Sequence, residues 1–280
     1  GCDDESSDGD GDADVDGDSD VDGDSDGDTD SDGDGDGDVD GDADSDGDGD
    51  ARTESALGMG INGISDWSTQ FPFLDLMRWS RTWYDWTAHL DITTVDENGW
   101  VTSLESGQSA GTVFLTNVEG IPIQYPRLVV RWEGTGTISY HWNATRVGDA
   151  HGGDLIEVGE GSCLLRIDTT DPSDPIRNIT IVPEEHVAVF DGGAIFNPDW
   201  LERIRGFRAI RFMDWMDTNN SDQSEWADRP LVTDRTWATH GVPLEIMLML
   251  VNELNADPWF CMPHLATDEY VRNFAQMVRE

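Results

Sequence analysis

The first 50 residues decide what this chain cannot bury. Aspartate stands at every even position from Asp8 to Asp50, separated mainly by Gly, Ser, Ala, Val and Thr. The stretch holds 24 aspartates, one glutamate and no basic residue. It has almost no apolar surface to set against chain entropy, and its charges repel one another. Residues 1–55 are therefore expected to form a disordered acidic spacer. Two pieces imitate the opening of an EF-hand loop: Asp12-Ala-Asp14-Val-Asp16-Gly17 and Asp28-Thr-Asp30-Ser-Asp32-Gly33. A complete loop closes with a bidentate glutamate at its twelfth position. Counting from Asp12 and Asp28 reaches Gly23 and Val39 instead. The sharper alternative is a string of weak calcium sites on Asp12, Asp14, Asp16, Asp28, Asp30 and Asp32, the one ion the sequence suggests.

The formal net charge is −43, and the 16 basic residues are all arginine. No basic patch is large enough for nucleic-acid binding. No run of about 18 apolar residues exists to span a membrane as a helix. Cys2 follows a small residue and precedes polar residues and a long spacer. This arrangement resembles the start of a bacterial lipoprotein. The resemblance implies acylation at Cys2 and a place outside the cell or on its outer surface. Cys163 and Cys261 lie too far apart in sequence for a metal-ligand or redox motif. Cys261, in the run Trp259-Phe260-Cys261-Met262, reads as a buried small hydrophobe.

Beyond the spacer, three textures follow. Residues 56–84 begin with a glycine-rich strand, Leu57–Ile64, and continue into a short helical or irregular segment from Phe71 to about Trp83. Residues 85–190 show short alternating runs between turn residues, among them Thr112–Asn117, Arg127–Trp132, Thr137–Trp142 and Cys163–Asp168. Seven or eight such runs over about 100 residues predict an inserted antiparallel β-sandwich able to close its own core. Residues 191–280 alternate helix and strand. A helix opens at Asn197-Pro198, strands lie over 207–213 and 257–262, and helices cover 243–256 and 270–279. That order predicts βαβ units with a parallel sheet. The fold class is thus α/β plus all-β.

In such units the functional residues collect where strands end and loops begin. The strand ends bring forward Asp66, Trp67, Arg211, Asp214, Trp215 and His264. At these residues the chain resembles the opening strands of retaining, clan-A glycoside hydrolases. The resemblance rests on Gly60-Ile-Asn-Gly-Ile-Ser-Asp-Trp67, Arg208-Ala-Ile-Arg-Phe-Met-Asp-Trp-Met216 and Asp257-Pro-Trp-Phe-Cys-Met-Pro-His-Leu-Ala266. It implies an incomplete (β/α) barrel holding its first strands, with Arg211 and His264 supporting a catalytic centre. It also implies that the two catalytic glutamates lie on strands missing here, so that the chain is the N-terminal part of a longer enzyme and is inactive alone. A full barrel takes about 250 residues, well beyond what 51–84 and 191–280 supply. Asn252-Glu253 mimics the catalytic dipeptide but sits within a helix pattern.

The twelve tryptophans all follow residue 51. An indole face stacks on the C–H face of a sugar ring. Trp67, Trp215, Trp226 and Trp237, in rim loops, are the candidates for that contact, while Trp132 and Trp142 are expected to be structural. The expected partner is a polysaccharide or oligosaccharide, with no required cofactor. The alternative is a non-catalytic glycan-binding or calcium-responsive surface protein.

Overall fold

The computed structural model describes residues 56–219 and 221–280. The expectations for the acidic spacer, its six candidate calcium aspartates and Cys2 lie outside the described residues. The strands are β1 (Gly58–Gly60), β2 (Tyr84–Asp85), β3 (Leu90–Asp91), β4 (Ala110–Asn117), β5 (Arg127–Glu133), β6 (Gly136–Ala150), β7 (Gly153–Thr170), β8 (Arg177–Pro183), β9 (Ala209–Arg211) and β10 (Asp257–Trp259). The helices are α1 (Val187–Asp191), α2 (Pro198–Ile204), α3 (Leu244–Leu254) and α4 (Asp268–Arg279).

The antiparallel strands form one sheet in the order β3-β2-β4-β7-β5-β8, with β6 also paired to β7. The two-sheet sandwich is therefore replaced by a single curled sheet, and the reason lies in β6 and β7. They form a long hairpin whose turn, His151-Gly152, has positive φ at both residues (52° and 80°), as a tight two-residue hairpin requires. One edge of β7 carries β6 throughout. Its other edge carries β4 over 161–167 and β5 over 154–157. Register breaks at Thr137/Ile138, Trp142/Ala144 and Arg146/Gly148 bend the hairpin, because an extra residue on one strand raises the local twist. The bent sheet then wraps its own apolar face. The same breaks cut the alternation in the sequence into short runs, which is why one hairpin resembles several strands.

The second sheet is parallel, in the order β1-β9-β10. Each of its strands has three residues, shorter than the runs 57–64, 207–213 and 257–262. Leu57 and all of β10 are exposed, so only Ile210 of the central strand is fully buried in this sheet. Among the described residues these strands form an open three-stranded parallel sheet. The segment 71–83, expected to be a short helix or irregular, makes one 3-10 turn, Leu76–Trp79. The helices of the C-terminal region follow their patterns. Asn197 caps α2 by accepting the Asp199 N–H, with Pro198 in the first turn. α3 buries Leu244, Ile246, Met247, Leu250, Val251 and Leu254, and ends at Asn255 in the left-handed conformation. Thr267 caps α4.

One hydrophobic core joins the two sheets. It runs from Ile61 and Phe73 through Phe114, Leu128, Leu165 and Ile181 to Phe212, Trp215, Leu250 and Phe274. The seam is segment 71–83. Leu74 N–H donates to Ile195 O, Asn197 N–H to Pro72 O, and Arg81 N–H to Val113 O. Asp75 ties the seam down. Its Oδ1 accepts both the Met77 and the Ile181 N–H at 3.0 Å.

Candidate functional site

The C-terminal ends of the parallel strands form a rim. Gly60, Arg211 and Trp259 stand level with one another in the register, so their side-chain positions share one face. Arg211 is exposed, with its guanidinium 5.2 Å from the centre of the Trp259 ring. Trp259 is 59 % exposed. Asp214 is exposed in the loop after β9, against Gly63 in the loop after β1. That loop is closed by Ser68 N–H donating to Ser65 O. It carries Trp67, which is 58 % exposed and covered on one side by the Arg81 guanidinium at 5.4 Å. An indole held against a guanidinium keeps an apolar surface fixed beside strong donors.

The remaining predicted residues separate. Asp66 is buried and committed. Arg81 donates to its two oxygens at 2.8 and 2.9 Å, and Thr116 Oγ1 donates to Oδ2 at 2.6 Å. It braces the loop beside Trp67. Trp215 and Trp237 are core residues. Phe73 packs on both, at 5.2 and 4.8 Å between ring centres. Trp226 is half-buried, with Arg229 over its ring at 4.4 Å and Tyr270 edge-on at 5.4 Å. It lines a cavity of about 20 Å³ with Met216, Pro263 and Phe274, room for about one water and no sugar. Pro263 turns into that cavity, and His264 beyond it is exposed. His264 makes no hydrogen bond or ion pair with Arg211 or Asp214. The rim is thus Trp67, Arg211, Asp214 and Trp259. Trp259 was not among the candidate sugar contacts, although it occupies the last strand position, level with Arg211. Cys261 is partly exposed, and Cys163 is the buried cysteine.

Two further groups escaped sequence reasoning. Trp142, expected to be structural, is 50 % exposed, whereas Trp132 packs against the core. Glu185, His186 and Asp199 bring their ligand atoms within 4.8 Å of one another and could hold a metal. His186 Nε2 is buried without a hydrogen bond and lies 3.5 Å from Asp199 Oδ2. Asp199 Oδ2 also accepts from Tyr125 Oη at 2.9 Å. Burial pushes the Tyr125 phenol up to about 12, so it stays a donor. The group is invisible as a motif because its members come from the 3-10 turn Glu184–His186 after β8 and from the start of α2.

No family model, no curated protein and no solved structure matches this chain.

Proposed function

We propose that this chain is the glycan-binding part of a carbohydrate-active surface protein, holding saccharide at the rim of the parallel sheet. One observation carries the reading: Arg211 and the exposed Trp259 lie level at the strand ends, the one stacked on the other. Ligands of α/β sheets collect outside the carboxyl ends of the strands. There an indole supplies the apolar surface for a sugar's C–H face, while Arg211 and Asp214 supply a donor and an acceptor for its hydroxyls. Hydrolysis with retention needs two carboxylates about 5–5.5 Å apart. With Asp66 held by Arg81 and Thr116, Asp214 is the one rim carboxylate free of such a partner. Binding is therefore favoured over turnover for these residues. Acylation of Cys2, with the acidic segment as a spacer, belongs to the same proposal.

Affinity electrophoresis through gels containing soluble polysaccharide tests it. Trp259→Ala and Arg211→Ala should each weaken retardation by on the order of tenfold. Unchanged retardation of both variants would remove the rim as a saccharide site.

A further inference from the structure

We infer that the outer face of the antiparallel sheet carries a second saccharide site, a platform of Tyr84, Trp86 and Trp142 beside a polar groove, suited to neutral glycan. It takes the ligand class of the rim proposal but none of its residues.

The register assembles this face. Tyr84 pairs with Gly111, Gly111 with Arg166, and Arg166 with Ser139. Directly paired residues project to the same side. The alternate residues Ala110, Thr112, Leu165 and Ile167 are buried on the other side. Trp86 reaches this face from the end of β2 and lies across Gly111. A Cβ there would stand 2.8 Å from Trp86 Cδ1 and 3.2 Å from Leu164 Cδ1. With no side chain at Gly111, the Trp86 ring lies over that strand and meets Trp142 edge to face at 4.8 Å between centres. Tyr84 packs against Trp86 at 5.0 Å.

Trp142 is held at φ 60°, at the register break after it. For a residue with a Cβ that conformation is strained. The strain does not bury the ring, since Trp142 remains half exposed and Trp86 is 38 % exposed. Conformational energy is thus spent to present indole surface to solvent.

The groove beside the platform begins at Thr87, the residue after Trp86, and is a solvent-open surface groove of about 510 Å³. Gln108, Ser109 and Thr170 line it with uncharged donors and acceptors, and Arg166 and Asp168 stand in its wall. Arg166 Nε donates to Asp168 Oδ1, so the cation is already matched by a carboxylate. Nothing there is a free cation for a sulfated or uronic sugar, and Glu105 would repel one. Ser139 Oγ and His141 Nε2 share a hydrogen bond of 2.8 Å. Burial first, then Arg166, holds the imidazole below its ordinary pKa. Asp168 is engaged by Arg166, so this pair lacks the orienting carboxylate of a hydrolytic triad. It serves as a neutral hydrogen-bonding edge.

The test uses the full chain in gels containing hydroxyethyl cellulose, xylan or galactomannan, with polygalacturonate as the anionic comparison. Trp142→Ala removes an exposed ring and should fold, which near-ultraviolet circular dichroism checks. Trp142→Phe keeps an aromatic surface. Trp142→Ala should weaken retardation by a neutral polysaccharide at least tenfold, and Trp142→Phe should restore most of it. Folded Trp142→Ala with wild-type retardation on all three overturns the platform while the rim reading stands. The reverse pattern, loss with Trp142→Ala and none with Arg211→Ala or Trp259→Ala, sinks the rim and supports the platform. Retardation of wild type by polygalacturonate alone overturns the neutral-glycan assignment. Retardation by none of the gels overturns both sites. So does a Trp142→Ala variant that changes only self-association in sedimentation, because the face is then a protein interface.

Discussion

The two sheets of this chain are held together in different ways. In the antiparallel sheet, strands of up to 18 residues carry long ladders of hydrogen bonds, and β4, β5, β7 and β8 bury apolar residues in the core. In the parallel sheet, three strands of three residues each have few ladder bonds. They hold their place because Ile210 and the loops on either side insert into the shared core. The antiparallel ladder can therefore tolerate bulges and a strained tryptophan on its outer face. The parallel sheet depends on the seam, segment 71–83, which joins it to its neighbour.

A large expected effect follows from that dependence. Asp75→Ala leaves the Met77 and Ile181 N–H groups buried without an acceptor. The cost should be about 3 kcal/mol or more in urea denaturation. A loss under 1 kcal/mol would show that the seam does not couple the sheets. Asp75→Asn keeps an acceptor and should cost less. It also isolates a pH term. Burial outweighs the nearby Arg78 and raises the Asp75 carboxyl above its ordinary value. The folded state therefore favours the protonated form. That contribution is present below the unfolded value of about 3.9 and is lost as pH rises through the raised one. Wild type should thus lose stability relative to Asp75→Asn between acid and neutral pH.

Next in size is cooperativity. The sequence reading expects residues 85–190 to fold alone, while the core runs continuously from Ile61 to Phe274. Calorimetry of the full chain should give one transition for the described region, with calorimetric and van't Hoff enthalpies equal. Two transitions, the later one assigned to 85–190, would restore the independent antiparallel unit.

What could be read in advance follows the same contrast. α2, α3 and α4 were legible because cap residues and apolar spacing are local signals, set by Asn197, Thr267 and the Leu244–Leu254 stripe. The curl of the antiparallel sheet was not legible. It depends on which edge of β7 pairs with β4, β5 or β6, a choice between segments distant in sequence. Arg211, Asp214 and Trp67 were placed at strand ends by position alone. Asp66 was misplaced because its partners, Arg81 and Thr116, lie 15 and 50 residues away. The exposure of Trp142 was not legible either, because it accompanies a positive φ at a register break that no local pattern marks.

A moderate effect is expected at Gly111. Gly111→Ala places a methyl 2.8 Å from Trp86 Cδ1, which forces the indole off the sheet. The loss should be about 1–2 kcal/mol, the usual cost of overpacking, with a red shift in tryptophan emission as Trp86 enters water. An unshifted spectrum at unchanged stability would show that Trp86 does not rest on Gly111. His141 gives a gentler probe of the same face. Its lowered pKa means that folding favours the neutral ring. That contribution is complete above the unfolded value of about 6.5 and is lost as pH falls through the folded value. His141→Gln should flatten the acid limb of the stability profile in that window.

The smallest effects belong to the rim, and their smallness is what separates a binding role from a structural one. Arg211 is exposed, donates to Met213 Sδ and lies on an exposed indole. An exposed cation–π contact contributes about 0.5–1 kcal/mol, so Arg211→Ala should cost no more than that. His264 is exposed and makes no hydrogen bond among the described residues, so His264→Ala should stay within about 0.5 kcal/mol. Thermal and urea unfolding of the two variants supply both numbers. Trp215→Ala provides the contrast, since the ring is buried between Phe73, Trp200 and Phe212 and should cost about 3–5 kcal/mol. If Arg211→Ala instead approached the Trp215→Ala value, the guanidinium would be holding the parallel sheet together. Weakened saccharide binding by that variant would then follow from a damaged sheet, and the rim would lose its claim to be a site.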